Sequence, residues 1–272
     1  MTSTMELAKD VYDIYLKKMV PRASAALSYY LTMTLFPLII CLYALFGQNY
    51  QVAMSLFNAI ERFLMPSAAE LIKSFLLHVA ETGSRTVLVA AVTMLVLSAS
   101  AAVRVLQGTI NEMQDGHRFR AITDYLISFA LAVALLLAVY ASMVVLLTGN
   151  RFLNWMRQAH AIRVADSTWL WARFLLLGGF ALLLFWGMFG FMRPRNDRYL
   201  VLPGAALATL GVVAMSTIFS KLIASSARYS LVYGSLASLI LVMLWLYMIC
   251  QAIFVGAALN IALRNRRARQ AA

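Results

Sequence analysis

The residues with the most chemical capacity in this chain are few and scattered. His78, His117 and His160 lie far apart along the sequence. No His-Glu-x-x-His, paired-histidine or Cys-x-x-Cys spacing occurs, so neither a zinc site nor a redox dithiol is expected. Cys41 and Cys250 fall inside apolar runs and read as small packing residues. No Asp or Glu stands within a long apolar run, and Asp124 sits only at the entrance of one. Proton- and sodium-coupled carriers place ionisable groups inside the membrane, so a carboxylate relay is not expected. There is no phosphate-binding Walker sequence. The expectation is a non-enzyme that requires no cofactor and no metal.

The remaining polar chemistry is mild: hydroxyls, amides and tyrosines. Ser28, Tyr29, Tyr30, Thr32 and Thr34 lead to Pro37, which removes a backbone donor and favours a kink. Near the other end, Tyr229, Tyr233, Gly234, Ser235 and Ser238 precede Tyr247 and Gln251. Tyr29, Tyr30, Pro37, Tyr229, Tyr233, Gly234, Ser235 and Gln251 are the candidates for a substrate path. Arg173 and Arg228 are candidates for contact with a lipid headgroup. Gly204, Ala208 and Gly211 leave a smooth helix surface, and Ala252, Gly256 and Asn260 repeat every four residues. Small residues at this spacing allow close helix approach, with polar side chains bonding across the seam.

The elements that position these residues follow from where charge is missing. Of 272 residues, 62% are apolar and only 12% are charged. That is too little charge to cover a soluble domain of this size, and the mean hydropathy is +0.79. Six stretches without Asp, Glu, Lys or Arg run over 23–60, 86–103, 125–150, 174–192, 199–220 and 229–263. Each can supply the ~20 residues that a helix needs to cross a bilayer. Spans are expected near 27–47, 86–106, 122–148, 170–192, 201–223 and 235–260. The fold class is an all-α polytopic membrane bundle of six transmembrane helices plus amphipathic periplasmic loop helices. Strands of a membrane barrel would alternate over ~10 residues, and these runs do not.

Flanking segments complete the organisation. Residues 1–26 are expected to form a cytoplasmic amphipathic segment, with Leu7, Val11 and Ile14 on one face and a break at Pro21. The acidic residues within it argue against a cleaved signal peptide. Residues 27–262 form the membrane domain, and 263–272 a basic cytoplasmic tail. In the 48–85 loop, Val52, Leu56, Ile60 and Phe63 form one apolar stripe. Ser67 to Glu70 then reads as a capping box that opens a second helix bearing Leu71, Phe75 and Val79. Arg104 and Lys221 lie near span ends and can snorkel to headgroups. With the N-terminus inside, the inner segments hold 14 of 23 basic residues in 62 positions, and the outer segments hold 9 in 76. Both termini are therefore expected in the cytoplasm. This distribution along membrane edges also accounts for most of the net charge of +12, so no nucleic-acid partner is expected.

Two segments carry a family resemblance. One is Ala25-Ala26-Leu27-Ser28-Tyr29-Tyr30-Leu31-Thr32 running into Leu35-Phe36-Pro37-Leu38. The other is Tyr229-Ser230-Leu231-Val232-Tyr233-Gly234-Ser235-Leu236-Ala237, then Leu244-Trp245-Leu246-Tyr247 and Gly256-Ala257-Ala258-Leu259-Asn260. Together with Asn111 and Pro203-Gly204, they resemble the YihY/BrkB family of bacterial inner-membrane proteins, once labelled ribonuclease BN. Ala258 departs from the pattern, standing where the resemblance leads one to expect Glu. The resemblance implies a six-span inner-membrane protein linked to envelope integrity and, in one branch, to export of lipopolysaccharide or its precursors. The function expected from residues and resemblance together is the handling or translocation of phospholipid or a lipopolysaccharide-type glycolipid. Its partners would be membrane lipids and envelope lipid-transport proteins. The alternative is a non-transporting scaffold for envelope machinery.

Overall fold

A computed structural model describes residues 2–46, 85–114, 166–193, 200–225 and 236–271. The expected span at 122–148 and the two helices of the 48–85 loop lie outside the described residues. Those described form six helices: α1 (Thr2–Lys17), α2 (Val20–Phe46), α3 (Arg85–Met113), α4 (Asp166–Phe191), α5 (Leu202–Ser225) and α6 (Leu236–Ala271). No strand occurs among the described residues, and the protein is a helical membrane bundle. Leu88–Met113, Leu202–Lys221 and Leu239–Gln270 are each long and apolar enough to cross a bilayer.

The outer surface of the bundle explains why the composition is so apolar. Val92, Leu97, Leu183, Leu210, Val213, Ile218 and Ile240 are all exposed. In water such a surface would drive aggregation, whereas in lipid it meets acyl chains and each helix satisfies its own backbone. The inner face is equally apolar. Leu27, Leu106, Ile110, Met113, Phe189, Ala205, Ala208, Phe254 and Ile261 belong to one buried cluster drawn from α2, α3, α4, α5 and α6. Cys41, Ala91 and Leu95 form a second cluster further along α2 and α3.

The two ends of the described chain meet. Ile14 and Tyr15 of α1 pack against the main cluster. On another side of α1, Asp10 Oδ2 accepts a hydrogen bond of 2.7 Å from Arg266 Nε, and Glu6 lies 3.8 Å from the same guanidinium. Helix α6 has 36 residues, or roughly 54 Å at 1.5 Å per residue. That exceeds the ~30 Å hydrocarbon thickness, so its arginine-rich end projects beyond the apolar layer. Arg264 donates to the carbonyl of Gln114, whose side chain in turn donates to the carbonyl of Met192. The ends of α3, α4 and α6 are thus tied together beside α1.

Between α1 and α2 the chain turns through Met19, whose φ of 48° lies in the left-handed region. Val20 is fully buried and anchors this turn. Pro21 falls in the first turn of α2, where its missing N–H costs nothing. The break thus comes just ahead of the proline, at Lys18 and Met19. Helix α2 then continues through Pro37 as one helix.

Candidate functional site

Two seams of the bundle differ in construction. The α5–α6 seam is built for closeness. A methyl added at Gly204 would overlap the backbone oxygen of Gly256, and one at Gly256 would overlap that of Gly204. A methyl at Gly211 would come within 2.8 Å of the Ala252 Cβ. Asn260 closes the seam at one end: its Oδ1 accepts from Gly204 N at 2.7 Å and its Nδ2 donates to Val201 O at 3.0 Å. Phe219 and Trp245 meet with ring centroids 6.4 Å apart towards the other end. The small-residue spacing in both helices is therefore a packing device, as its periodicity implies.

Helices α2 and α3 carry hydroxyls. Ser28, Thr32, Thr34 and Thr109 are buried, and each donates to a carbonyl of its own helix at 2.7–2.9 Å. Such back-bonding hides a hydroxyl in an apolar setting. Ser24 and Ser100 do not share this pattern: their Oγ atoms are buried without a hydrogen-bond partner among the described residues. The Gln251 Oε1 on α6 is buried in the same condition.

The register brings several of these groups to a common depth. Ala23 and Ala26 line a cleft with Val105, Gly108 and Thr109, and α2 and α3 are antiparallel. Ser28 therefore lies near the depth of Arg104, and Thr32 near that of Ser100. Ile110, Gln114, Asn260 and Ile261 border one small void of about 10 Å³, which aligns α3 with α6. Stepping inward from there at 1.5 Å per residue, Arg104 and Gln251 each fall roughly 9–15 Å deeper. A polar layer of Ser28, Arg104 and Gln251 thus crosses the bundle, with Thr32 and Ser100 one turn beyond. Helix α3 runs to Met113, seven residues past the expected boundary at 106, so Arg104 lies well inside the helix, with its Nη1 buried.

The expected path residues divide. Tyr29 is 48% exposed, whereas Tyr30 packs against the main cluster. Their rings meet edge to face at 5.4 Å and 72°. Adjacent helical residues point about 100° apart, so only Tyr30 is turned towards the interior. Pro37 is buried on α2. Gln251 follows the fully buried Cys250 on α6, which packs against α2. Arg173 lies on α4. Arg228, Tyr229, Tyr233, Gly234 and Ser235 lie outside the described residues. Asp10, Arg266 and the Lys17–Lys18 pair were not read from sequence as a site. Their partners come from remote helices, and local spacing carries no signal of that.

An apolar-jacketed helical bundle with mild internal polarity defines a membrane protein. Among the described residues, no three of His, Cys, Asp and Glu group closely enough to hold a metal. The profile of the Virulence factor BrkB family matches residues 11–272, and the chain belongs to that family. It is 24% identical over 269 residues to a Bacillus subtilis protein named ribonuclease-like protein YfkH, covering 97% of both chains. It is also 24% identical to a UPF0761 membrane protein of Aromatoleum aromaticum, covering 97% of this chain and 65% of the relative. No solved structure matches the chain.

Proposed function

We propose that this protein handles lipid in the bacterial inner membrane, moving or presenting phospholipid or a lipopolysaccharide-type glycolipid, with both termini in the cytoplasm. The observation that carries this reading is the polar layer inside an otherwise apolar bundle. It offers unused hydrogen-bonding capacity at Ser100 and Gln251, with Ser24 one turn nearer the termini. Arg104 adds one positive charge, and α2, α5 and α6 contain no carboxylate. A phosphate-bearing headgroup needs donors and a cation along its way, while its chains need an apolar exterior. An ion-coupled carrier needs titratable groups there instead. The pairing of Asp10 with Arg266 supports termini on one side, and the basic bias supports the cytoplasmic side.

The protein is read as a non-enzyme. The word ribonuclease belongs to the name of the Bacillus relative, and metal-dependent RNA cleavage by the purified protein would overturn this part. The main test is reconstitution in vesicles with a labelled phospholipid. Faster transbilayer movement is expected, slowed by Gln251→Leu and by Tyr233→Ala. If movement is unchanged and no lipid copurifies, the lipid reading fails. A stable protein partner, with function surviving both substitutions, would then favour the scaffold.

A further inference from the structure

The polar layer ends, at the side where the termini meet, in a different kind of space. An open cleft of about 840 Å³ lies between the α1–α2 turn and α3. Among the described residues its rim carries Lys17, Lys18 and Arg22, with Glu112 as the one acid. Its floor is made of small apolar groups, Ala23, Ala26, Val105 and Gly108. A methyl built at Gly108 would meet nothing within 4 Å, so the glycine faces free space. The turn fixes the rim: Arg22 and Ala23 both donate their backbone N–H to the Met19 carbonyl at 3.0 and 3.2 Å. Those N–H groups are spent, so the attraction for an anion comes from the Lys17 and Arg22 side chains, added to the positive end of the α2 dipole.

A second observation places this cleft at a membrane surface. Met5, Tyr12 and Leu16 are all exposed. At 100° per residue they lie within roughly 40° of one another on α1, with exposed Lys9 about 20° from Leu16 at the stripe's edge. This stripe differs from the face carrying Ile14 and Tyr15, which meets the core, and from the face carrying Asp10, which meets Arg266. Exposed Met19 extends it to the mouth of the cleft. An apolar stripe on a helix at the end of a membrane bundle lies in the headgroup and acyl boundary. Lysine and arginine beside it then stand at the level of lipid phosphates.

We propose that the cleft between the α1–α2 turn and α3 binds the phosphate of an anionic phospholipid, held by Lys17 and Arg22, with its glycerol and first acyl carbons over the Gly108 floor. Glu112 sets the selectivity, because it repels a second negative charge. The site does not require transport; a scaffold could hold a lipid there as well.

The test uses the full-length protein in phosphatidylcholine nanodiscs, titrated with fluorescent phosphatidylglycerol. Wild type is expected to prefer phosphatidylglycerol to phosphatidylcholine. The Lys17→Gln/Arg22→Gln pair should weaken that binding roughly tenfold or more, from two lost surface cations. Gly108→Leu, which fills the floor and keeps every charge, should weaken it comparably. Glu112→Gln should tighten it severalfold. Equal binding of the two lipids would overturn the proposal. So would a loss confined to the charge variant, since that describes a diffuse surface field rather than a cleft. Displacement by inorganic phosphate at lipid-like concentrations would overturn the lipid source in favour of a free anion. Thermal melting of each variant checks the fold. Binding that persists without transbilayer movement sinks the transport reading alone. Movement that persists in both cleft variants, with binding never seen, sinks this one alone.

Discussion

The α5–α6 and α2–α3 seams use the same small and hydroxylated residues for opposite ends. In the first, glycine lets backbones touch, and Asn260 uses both ends of its amide on the neighbouring helix. Nothing is left over and nothing can enter. On α2 and α3, threonines hide their hydroxyls within their own helices while Ser24 and Ser100 keep theirs unused among the described residues, and the two helices border an open cleft. The contrast teaches that polarity in a membrane helix is not by itself a mark of function. What separates the two seams is whether hydrogen-bonding capacity has been spent.

Substitutions should separate the seams in the same order. Gly256→Val is expected to do the most damage, about 3 kcal/mol or more, because the branched side chain must displace backbone. Loss of monodisperse protein in detergent chromatography would show it. Asn260→Leu should cost roughly 2–4 kcal/mol by leaving the Gly204 N–H and the Val201 carbonyl buried and unmet, read as a lowered melting temperature. Arg266→Ala should cost about 1 kcal/mol, as a half-buried ion pair does. Its signature is faster hydrogen exchange confined to α1. Ser100→Ala should change stability by less than about 1 kcal/mol, or raise it slightly, since it removes an unmet buried hydroxyl. It should nevertheless slow lipid movement. If Ser100→Ala destabilises as strongly as Asn260→Leu, the seams are alike and the contrast is wrong.

Much of this division was legible in the sequence, and the limits have physical causes. The repeats Gly204-Ala208-Gly211 and Ala252-Gly256-Asn260 announce a close crossing because helical periodicity is local. The membrane class follows from charge scarcity alone. The end of α3 was less legible: apolar density thins after Arg104, whereas the helix continues through Leu106, Gln107 and Ile110 to Met113. The cleft was invisible for another reason. Lys17 and Arg22 read as ordinary flanking cations until the turn at Met19 and the approach of α3 set them around one space. The bond between Asp10 and Arg266 spans 256 positions, and no window along the chain contains both.

That separation has a consequence for biogenesis. A ribosome makes α1 long before it makes Arg266, so the first helix must wait on the membrane, unclamped, while the rest of the bundle is inserted. The clasp between Asp10 and Arg266 can form only near completion, and α1 carries one wall of the cleft. The fastening of α1 to α6 is therefore among the last contacts of the described residues to form, and a chain stalled before α6 would carry α1 as an unfastened arm.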